Sequence, residues 1–381
     1  MSKQSQELGR RAGQVLIIGF EGCQCDAALS QLFRDIRPGG VIFFQRNIAE
    51  AEQFRELVAD IRKALSSPSP FLAMDLEGGL VDRFRELLAP LPSARDAAQA
   101  GMARELGEMA GRELAAFGLN VDFAPVLDLG SAESEPILAS RAAGQTPQEV
   151  IRFAERFLLG LTEWNVLGCG KHFPGLGGGG KDSHIGLPTI PKTEDAVWRE
   201  DILPFRTLAD QMPLIMVAHA WYPELEAALV PEKTRPAPIP ASLSSNIVSG
   251  LLRQRIDYDG LVVCDDLEME GVLEGRSIEE AAVAAIRAGC DILLVCRHAA
   301  NVERVHRALV CESEASSEFR ERLGQAARRI ADAQVVRPPG ELEMPFVNVE
   351  VLRREIQRLR ERVRQRLAHR TDSPVGGAQE R

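Results

Sequence analysis

Two side chains capable of proton transfer, Asp182 and His184, lie two residues apart in a segment, residues 168–188, that carries five glycines between positions 175 and 180. In an extended backbone this spacing places both side chains on one side, where the carboxylate can orient and polarise the imidazole. A histidine supported in this way can donate a proton to a leaving group and later accept one from water. The glycines add no packing and lose entropy on folding, which favours a mobile or ligand-binding loop over a solvated loop with an incidental histidine.

A carboxylate that could act as a nucleophile ends the apolar run 261–265. Asp265 follows directly on Cys264, and Asp266 comes next, where it can cap or support the following segment. A carboxylate at the bottom of a pocket can attack the anomeric carbon of a sugar and form a covalent intermediate. The alternative for Asp265 is an ordinary helix N-cap.

Four further polar residues fit the recognition of sugar hydroxyls. Asp75 ends another apolar run and could hold two hydroxyls, and Arg83 follows closely enough to anchor it or to reach the ligand. Lys171 and His172 end the run that leads into the glycine-rich loop, and on a regular strand their side chains would reach opposite faces unless the strand stops there. The alternative for this pair is a salt-bridged lysine and a core histidine.

Eight short apolar runs would position these groups, each followed by a helical pattern or a long loop. The runs span residues 15–20, 40–44, 71–75, 121–126, 168–172, 214–219, 261–265 and 291–296, and helical periodicity covers 49–65, 101–117, 147–164, 245–255 and 278–288. This alternation predicts an α/β fold, a (β/α)8 TIM-type barrel. A doubly wound open sheet is the rival, although no Gly-x-Gly-x-x-Gly follows the first run. Polar residues at or just beyond the carboxyl ends of the runs predict an active site on that face: Asp75, Asp128, His172, His219 and Asp265.

The composition disfavours several kinds of partner. A formal net charge of −10 argues against a nucleic-acid-binding surface, which needs clustered lysine and arginine. The start of the chain has no long apolar segment, and most of the seven cysteines lie in apolar runs, so we expect a cytoplasmic protein with reduced thiols. Cys23 and Cys25 have no second pair nearby, which predicts a loop rather than a zinc site. We therefore expect no cofactor and no bound metal.

The pattern changes near residue 338, which predicts a catalytic barrel over residues 1–338 and a C-terminal extension over residues 339–381. A helix predicted over residues 349–370 is rich in arginine and carries apolar residues on one face, namely Leu352, Ile356, Leu359, Val363 and Leu367. This pattern favours a terminal helix lying across the barrel over a dimerising helix or a contact with an anionic membrane. The polar tail, residues 371–381, is predicted to be disordered.

The chain resembles the bacterial β-N-acetylglucosaminidases of glycoside hydrolase family 3 over residues 10–335. The resemblance is carried by Lys171-His172-Phe173-Pro174-Gly175 followed by Asp182-Ser183-His184, with supporting matches at Asp75-Leu-Glu-Gly-Gly79, Phe123-Ala-Pro-Val-Leu-Asp128 and Asp265-Asp266-Leu267. It implies a retaining exo-hydrolase that removes terminal β-linked N-acetylglucosamine from peptidoglycan fragments or chitooligosaccharides. A small carbohydrate is therefore the expected partner.

The resemblance also implies roles for individual residues. Asp265 would be the nucleophile, and His184 would be the acid/base with Asp182 as its dyad partner. Contacts to the sugar are implied for Asp75, Arg83, Arg141, Lys171, His172 and His219. Most retaining glycosidases use two carboxylates about 5 Å apart, so a His–Asp dyad departs from the commoner plan.

Departures from the family pattern leave alternatives open. In the family the motif usually continues Pro-Gly-His-Gly-Asp-Thr, whereas this chain has Leu176, Gly178 and Gly179. These differences leave open how the loop closes, how fast the reaction runs and which aglycone is preferred. One rival is a β-glucosidase of the same family, which generally takes a glutamate acid/base from a second domain. Another is a non-catalytic sugar-binding barrel. A third is a metal-dependent hydrolase with ligands drawn from His172, His184, His219 and Asp265.

Overall fold

The computed structural model describes residues 3–371 except 66, 68, 133, 135–137, 180–185, 230–236 and 337–347. Its strands are β1 (Leu16–Ile18), β2 (Gly40–Phe43), β3 (Phe71–Met74), β4 (Leu76–Gly78), β5 (Val81–Asp82), β6 (Val121–Asp122), β7 (Leu167–Phe173), β8 (Leu214–Val217), β9 (Leu261–Cys264) and β10 (Ile292–Val295). Eight of them close a parallel barrel in the order β1-β2-β3-β6-β7-β8-β9-β10. The predicted (β/α)8 barrel is confirmed.

The closure of the barrel is visible at β1. Ile17 pairs with Gly40 of β2 on one side and with Leu294 of β10 on the other, so the first and last strands are neighbours. Every residue of β1, β2 and β10 is buried. Short runs rich in Val, Ile and Leu form such strands because a parallel sheet of this kind is covered on both faces. The open-sheet rival is therefore wrong.

The two-stranded hairpin β4–β5 follows β3 directly and does not belong to the barrel. Gly78, the last residue of β4, and Gly79, in the turn, have φ of 84° and 59°, a region that favours glycine. A Cβ atom added to Gly78 would lie 2.3 Å from the Pro92 carbonyl oxygen. The Asp82 carboxylate holds the next segment by accepting hydrogen bonds from the amides of Phe84 (3.0 Å) and Leu91 (2.8 Å). The hairpin is thus fixed at the carboxyl end of β3.

Helices surround the barrel largely where periodicity predicts them. They are α1 (Lys3–Gln14), α2 (Ala27–Ile36), α3 (Ala51–Ala64), α4 (Ala94–Ala100), α5 (Ala103–Ala116), α6 (Pro147–Thr162), α7 (Glu194–Arg199), α8 (Ile202–Leu208), α9 (Pro223–Leu229), α10 (Glu270–Leu273), α11 (Ile278–Ala288), α12 (Ala299–Ala315), α13 (Ser317–Val336) and α14 (Val349–Thr371). A capping box between Thr146 and Glu149 starts α6. The helix predicted over residues 245–255 is present as Asn246–Arg255, but its hydrogen bonds are of the wider π type.

The terminal helix α14 packs on the outside of the barrel against α4 and α5. Its apolar face is buried through Leu352, Ile356, Leu359 and Val363. Because this face is covered by the chain's own helices, the packing agrees with the prediction of a helix lying across the barrel. Among the described helices, none combines the length and the apolar character needed to cross a membrane. The tail predicted to be disordered lies, after Thr371, outside the described residues.

Candidate active site

A cavity of ≈ 230 Å³ opens at the carboxyl ends of the barrel strands. Its wall contains the carboxylates and cations that the sequence singles out, together with an apolar side. The lining residues that matter here are Asp75, Glu77, Arg83, Arg141, Lys171, His172, Leu176, Asp265, Asp266 and Cys296. A larger cavity of ≈ 700 Å³ lies on the outer helices around Arg104 and Arg156 and contains none of these groups. The smaller cavity is the candidate active site, since this face carries the reactive groups of such barrels.

Five charged side chains in the cavity wall form one connected group, which we call the Lys171 cluster: Asp75, Glu77, Arg83, Arg141 and Lys171. Lys171 Nζ lies 2.8 Å from Asp75 Oδ1 and 2.6 Å from Glu77 Oε1. Arg141 binds Glu77 through two parallel hydrogen bonds, Nε to Oε2 at 2.8 Å and Nη2 to Oε1 at 2.9 Å. Arg83 Nη2 lies 3.3 Å from Asp75 Oδ2. Each carboxylate is therefore held by two cations.

The cluster stays charged although it is buried. Burial alone would raise the pKa of Asp75, but the charges of Lys171 and Arg83 outweigh it and lower that pKa. Arg141 and Lys171 likewise overcome burial and lower the pKa of Glu77. Burial would lower the pKa of Lys171, yet Asp75 and Glu77 raise it above its ordinary value. At neutral pH both carboxylates are therefore ionised and act purely as hydrogen-bond acceptors.

Arg83 has a donor atom, Nε, that pairs with no other group in the described part of the chain. Its buried Nε atom has no hydrogen-bond partner among the described residues, and 29% of its side chain is exposed. Its guanidinium also lies over the ring of Phe44, 5.5 Å from the centroid. Arg83 therefore anchors Asp75, one of the two functions that its position in the sequence suggests, while its contact with a ligand stays a prediction.

His172 reaches the same cavity as Lys171 because the strand is irregular at this point. The pairing of β7 with β8 shifts between Lys171 and Phe173, which leaves His172 as the extra residue of a bulge. Two neighbouring side chains can then share a face, so the expectation of opposite faces does not hold. Asp128 Oδ2 lies 2.6 Å from His172 Nδ1. This contact places a proton on Nδ1 and turns Nε2 toward other partners.

Asp265 begins the turn that leaves β9. Its Oδ1 atom accepts a hydrogen bond of 2.8 Å from the amide of Asp266, while no described residue donates to its Oδ2. Both Asp265 and Asp266 line the cavity. The backbone thus fixes one oxygen of Asp265, and the predicted role as nucleophile would fall to the other.

The prediction that His219 lines the cavity is corrected. Its ring is buried, with Nδ1 2.7 Å from Ser242 Oγ and Nε2 3.0 Å from the Asp266 carbonyl oxygen. The carbonyl can only accept, so Nε2 carries the proton and Nδ1 accepts from the Ser242 hydroxyl. Burial lowers the pKa of His219, which keeps the ring neutral. His219 therefore supports the turn after Asp265 and is not among the residues that line the cavity.

Asp182 and His184 lie outside the described residues, but both sides of their loop are described. On the incoming side, the amide of Leu176 donates to Asp128 Oδ1 at 2.8 Å and the hydroxyl of Tyr222 donates to the Gly175 carbonyl at 2.8 Å. On the returning side, the Trp221 amide donates to the Pro188 carbonyl at 2.8 Å. Since Leu176 lines the cavity, the loop leaves from its wall.

Glu77, for which the sequence predicts no role, joins Lys171 to Arg141. Its position two residues after Asp75 was the available signal, because alternate residues of an extended segment share a face. Arg141, assigned to the sugar, is bound in bidentate fashion to Glu77 and still lines the cavity. In the described part of the chain, no three His, Cys, Asp or Glu side chains are arranged to hold a metal ion.

Comparisons with known proteins agree with this geometry. The family model described as the glycosyl hydrolase family 3 N terminal domain matches residues 8–333. A curated beta-hexosaminidase of Alkalilimnicola ehrlichii is 37% identical over 304 residues, covering 77% of this chain and 84% of the relative. One from Pseudomonas aeruginosa is 36% identical over 298 residues, covering 77% and 86%. The structure of a family 3 beta-N-acetylglucosaminidase from Paenibacillus sp. superposes with a TM-score of 0.82 at 31% identity, covering 93% of this chain and 68% of that one.

Proposed function

The chain belongs to glycosyl hydrolase family 3, and on this basis we propose that it is a β-N-acetylglucosaminidase that removes terminal β-linked N-acetylglucosamine with retention of configuration. The observation that carries the proposal is that Asp265 and the Lys171 cluster line one cavity at the catalytic end of the barrel. A small cavity suits a single terminal sugar better than the interior of a long chain, which supports an exo-acting enzyme.

In the first step, Oδ2 of Asp265 attacks the anomeric carbon while the bond to the aglycone oxygen breaks. His184 gives its proton to that oxygen, so a glycosyl ester on Asp265 and a neutral aglycone result. In the second step a water molecule attacks the same carbon, the ester bond breaks, and His184 takes the proton from water. Asp182 stabilises the imidazolium in both steps. The roles of Asp182 and His184 rest on the family resemblance.

The Lys171 cluster would hold the sugar in position for this attack. Asp75 is fixed and ionised, so its oxygens accept hydrogen bonds from sugar hydroxyls. Arg83, Arg141 and Lys171 supply donors, and His172 presents Nε2 while Asp128 holds its other nitrogen. Several charged contacts in a poorly solvated cavity give the geometry that a glycosyl transfer needs.

The aglycone is proposed from the resemblance. We propose a peptidoglycan fragment, N-acetylglucosamine joined to anhydro-N-acetylmuramic acid with or without peptide, and chitooligosaccharides as the second possibility. Incubation with a purified fragment of each kind, followed by chromatography of the products, separates the two. Release of N-acetylglucosamine from the chitooligosaccharide alone would contradict the first assignment.

Turnover of an aryl β-N-acetylglucosaminide compared with an aryl β-glucoside tests the activity itself. We expect hydrolysis of the first and little of the second, and the reverse preference would support the β-glucosidase rival. Asp265→Ala should lower kcat/KM by roughly 10³-fold or more, since removing a nucleophile disables the whole reacting unit. Asp210→Ala, at an exposed site, is the matched control. If the wild type hydrolyses neither substrate and binds sugar as well as Asp265→Ala and His184→Ala do, the non-catalytic barrel is favoured.

A fluorinated sugar with a good leaving group tests the covalent step. Such a substrate slows the second step, so the glycosyl ester accumulates. Mass spectrometry of the digested protein should place the added mass on the peptide that contains Asp265. An adduct on a different carboxylate would overturn the assignment of the nucleophile.

A further inference from the structure

A second carboxyl faces the cavity beside the proposed nucleophile. Asp266 lines the cavity next to Asp265. Its Oδ1 atom accepts hydrogen bonds from the amides of Glu268 (3.1 Å) and Cys296 (3.2 Å). No described residue donates to its Oδ2. Two backbone amides therefore fix the carboxyl by one oxygen, which leaves the other to meet whatever occupies the cavity.

Within the described part of the chain, the groups around Asp266 offer it negative charge and no cation. Asp265 and Glu268 lie on the same turn as Asp266, and Glu268 Oε1 lies 2.7 Å from His298 Nδ1. The buried thiol of Cys296 follows β10, and the neutral ring of His219, which contacts the carbonyl of Asp266, follows β8.

The cations nearby are occupied by other partners. Arg46 donates to the carbonyl oxygens of Phe20 and Cys296 and pairs with Glu21. The cations of the Lys171 cluster are bound to Asp75 and Glu77. Burial, reinforced by Glu268 and Asp265, raises the pKa of Asp266 to about 7 although two amides oppose it. These surroundings therefore favour a proton on the Asp266 oxygen that has no partner among the described residues.

We infer that Asp266 is a specificity-determining residue of the site, whose protonated Oδ2 donates a hydrogen bond to an oxygen of the bound sugar. The inference rests on the proposed function. Asp75 and Asp266 then have opposite roles in binding the sugar, since Asp75 is an ionised hydrogen-bond acceptor and Asp266 a neutral hydrogen-bond donor. Two carboxyl groups in one site can play opposite roles when their surroundings differ in this way. Loss of the proton would replace a donor with a charge that repels both sugar oxygens and the neighbouring Asp265.

The variant Asp266→Asn keeps a donor at this position and removes the titration. The measurement is kcat/KM against pH with 2,4-dinitrophenyl β-N-acetylglucosaminide. This leaving group departs without receiving a proton, and kcat/KM reports only the steps up to its release. The pH dependence of kcat/KM is therefore independent of proton donation by His184. We expect the wild type to lose activity as pH rises through about 7, and Asp266→Asn to stay within about tenfold of the wild-type maximum without that loss. Asp210→Asn should keep the wild-type profile.

A second variant, Asp266→Ala, removes the donor altogether. We expect kcat/KM to fall by roughly 10- to 100-fold at all pH values, the effect of losing one hydrogen bond in a buried site. Circular dichroism melts at pH 6 verify that both variants fold. If Asp266→Asn shows the same alkaline loss as the wild type, or Asp266→Ala is fully active, the inference is overturned. Failure of the wild type to hydrolyse any aryl N-acetylglucosaminide would instead reject the proposed function.

Discussion

Lys171 and Asp75 form an ion pair across the mouth of the barrel, with Nζ 2.8 Å from Oδ1. Lys171 belongs to β7 and Asp75 follows β3, so the pair spans the intervening strand β6. Lys171 is also 2.6 Å from Glu77 Oε1, and its side chain is 3% exposed. One ammonium group therefore neutralises two buried carboxylates and ties together the two sides of the candidate active site.

Replacing this lysine should damage both stability and activity. In Lys171→Met the carboxylates of Asp75 and Glu77 lose a shared cation, and removing one partner of a buried ion pair costs about 3–5 kcal/mol. We expect a lower free energy of unfolding in urea and loss of turnover of the aryl N-acetylglucosaminide. Lys63→Met, at a side chain 78% exposed, is the control and should match the wild type. Wild-type stability of Lys171→Met would contradict the argument.

Asp128 is predicted to act through His172. In Asp128→Asn the amide can no longer hold the proton on Nδ1 as a carboxylate does, so the ring loses its fixed orientation. We expect kcat/KM to fall by roughly 10- to 100-fold, the effect of one charged hydrogen bond. If the residue positions the sugar contact, KM should rise while the melting temperature changes little; an unchanged KM and kcat would reject this role. Asp210→Asn serves as the control.

Glu113 is predicted to weaken the fold at high pH. It is fully buried on α5 with both oxygens unpartnered among the described residues. Burial, with the charges of Asp82 and Asp122, raises its pKa well above the ordinary value. The folded state therefore keeps a proton that the unfolded chain releases, so stability is greatest below the unfolded pKa and falls as pH rises toward the folded one.

The variant Glu113→Gln removes this titration. The free energy of unfolding of Glu113→Gln minus that of the wild type should be lowest near pH 4 and should rise steadily toward pH 8. Urea unfolding at several pH values measures this difference. Glu108→Gln lies on the same helix but is exposed, and it should show no such trend. A constant difference between Glu113→Gln and the wild type at all pH values would show that Glu113 does not titrate in this range.

The terminal helix α14 is predicted to stabilise the barrel through its buried face. Ile356 is fully buried, and shortening such a side chain to alanine costs about 2–5 kcal/mol. Thermal and urea unfolding of Ile356→Ala should show this loss, and the unfolding should remain a single transition if helix and barrel unfold together. Val351→Ala, at a residue 40% exposed on the same helix, is the matched control. Equal stability of the two variants would mean that the helix contributes nothing to the fold.

The sequence by itself determined the elements and the positions of the candidate site residues along them. Apolar runs such as 214–219 and 261–265 predict buried strands because burial on both faces depends on local composition. The ends of those runs then predict where Asp75, His172 and Asp265 lie, since the carboxyl ends of parallel strands meet on one face. Asp182 and His184 remain predictions from the sequence and the resemblance.

Only the tertiary structure decided how these residues share partners. Glu77 meets Arg141 across 64 positions in the chain, and no local pattern encodes which distant cation a carboxylate will meet. His219 could have entered the cavity, yet Ser242 and the Asp266 carbonyl occupy both of its nitrogens. A bulge in β7 turned His172 to the side of Lys171. Partner choice of this kind depends on which strands are neighbours and on small shifts in register, and both are set by the packing of the whole barrel.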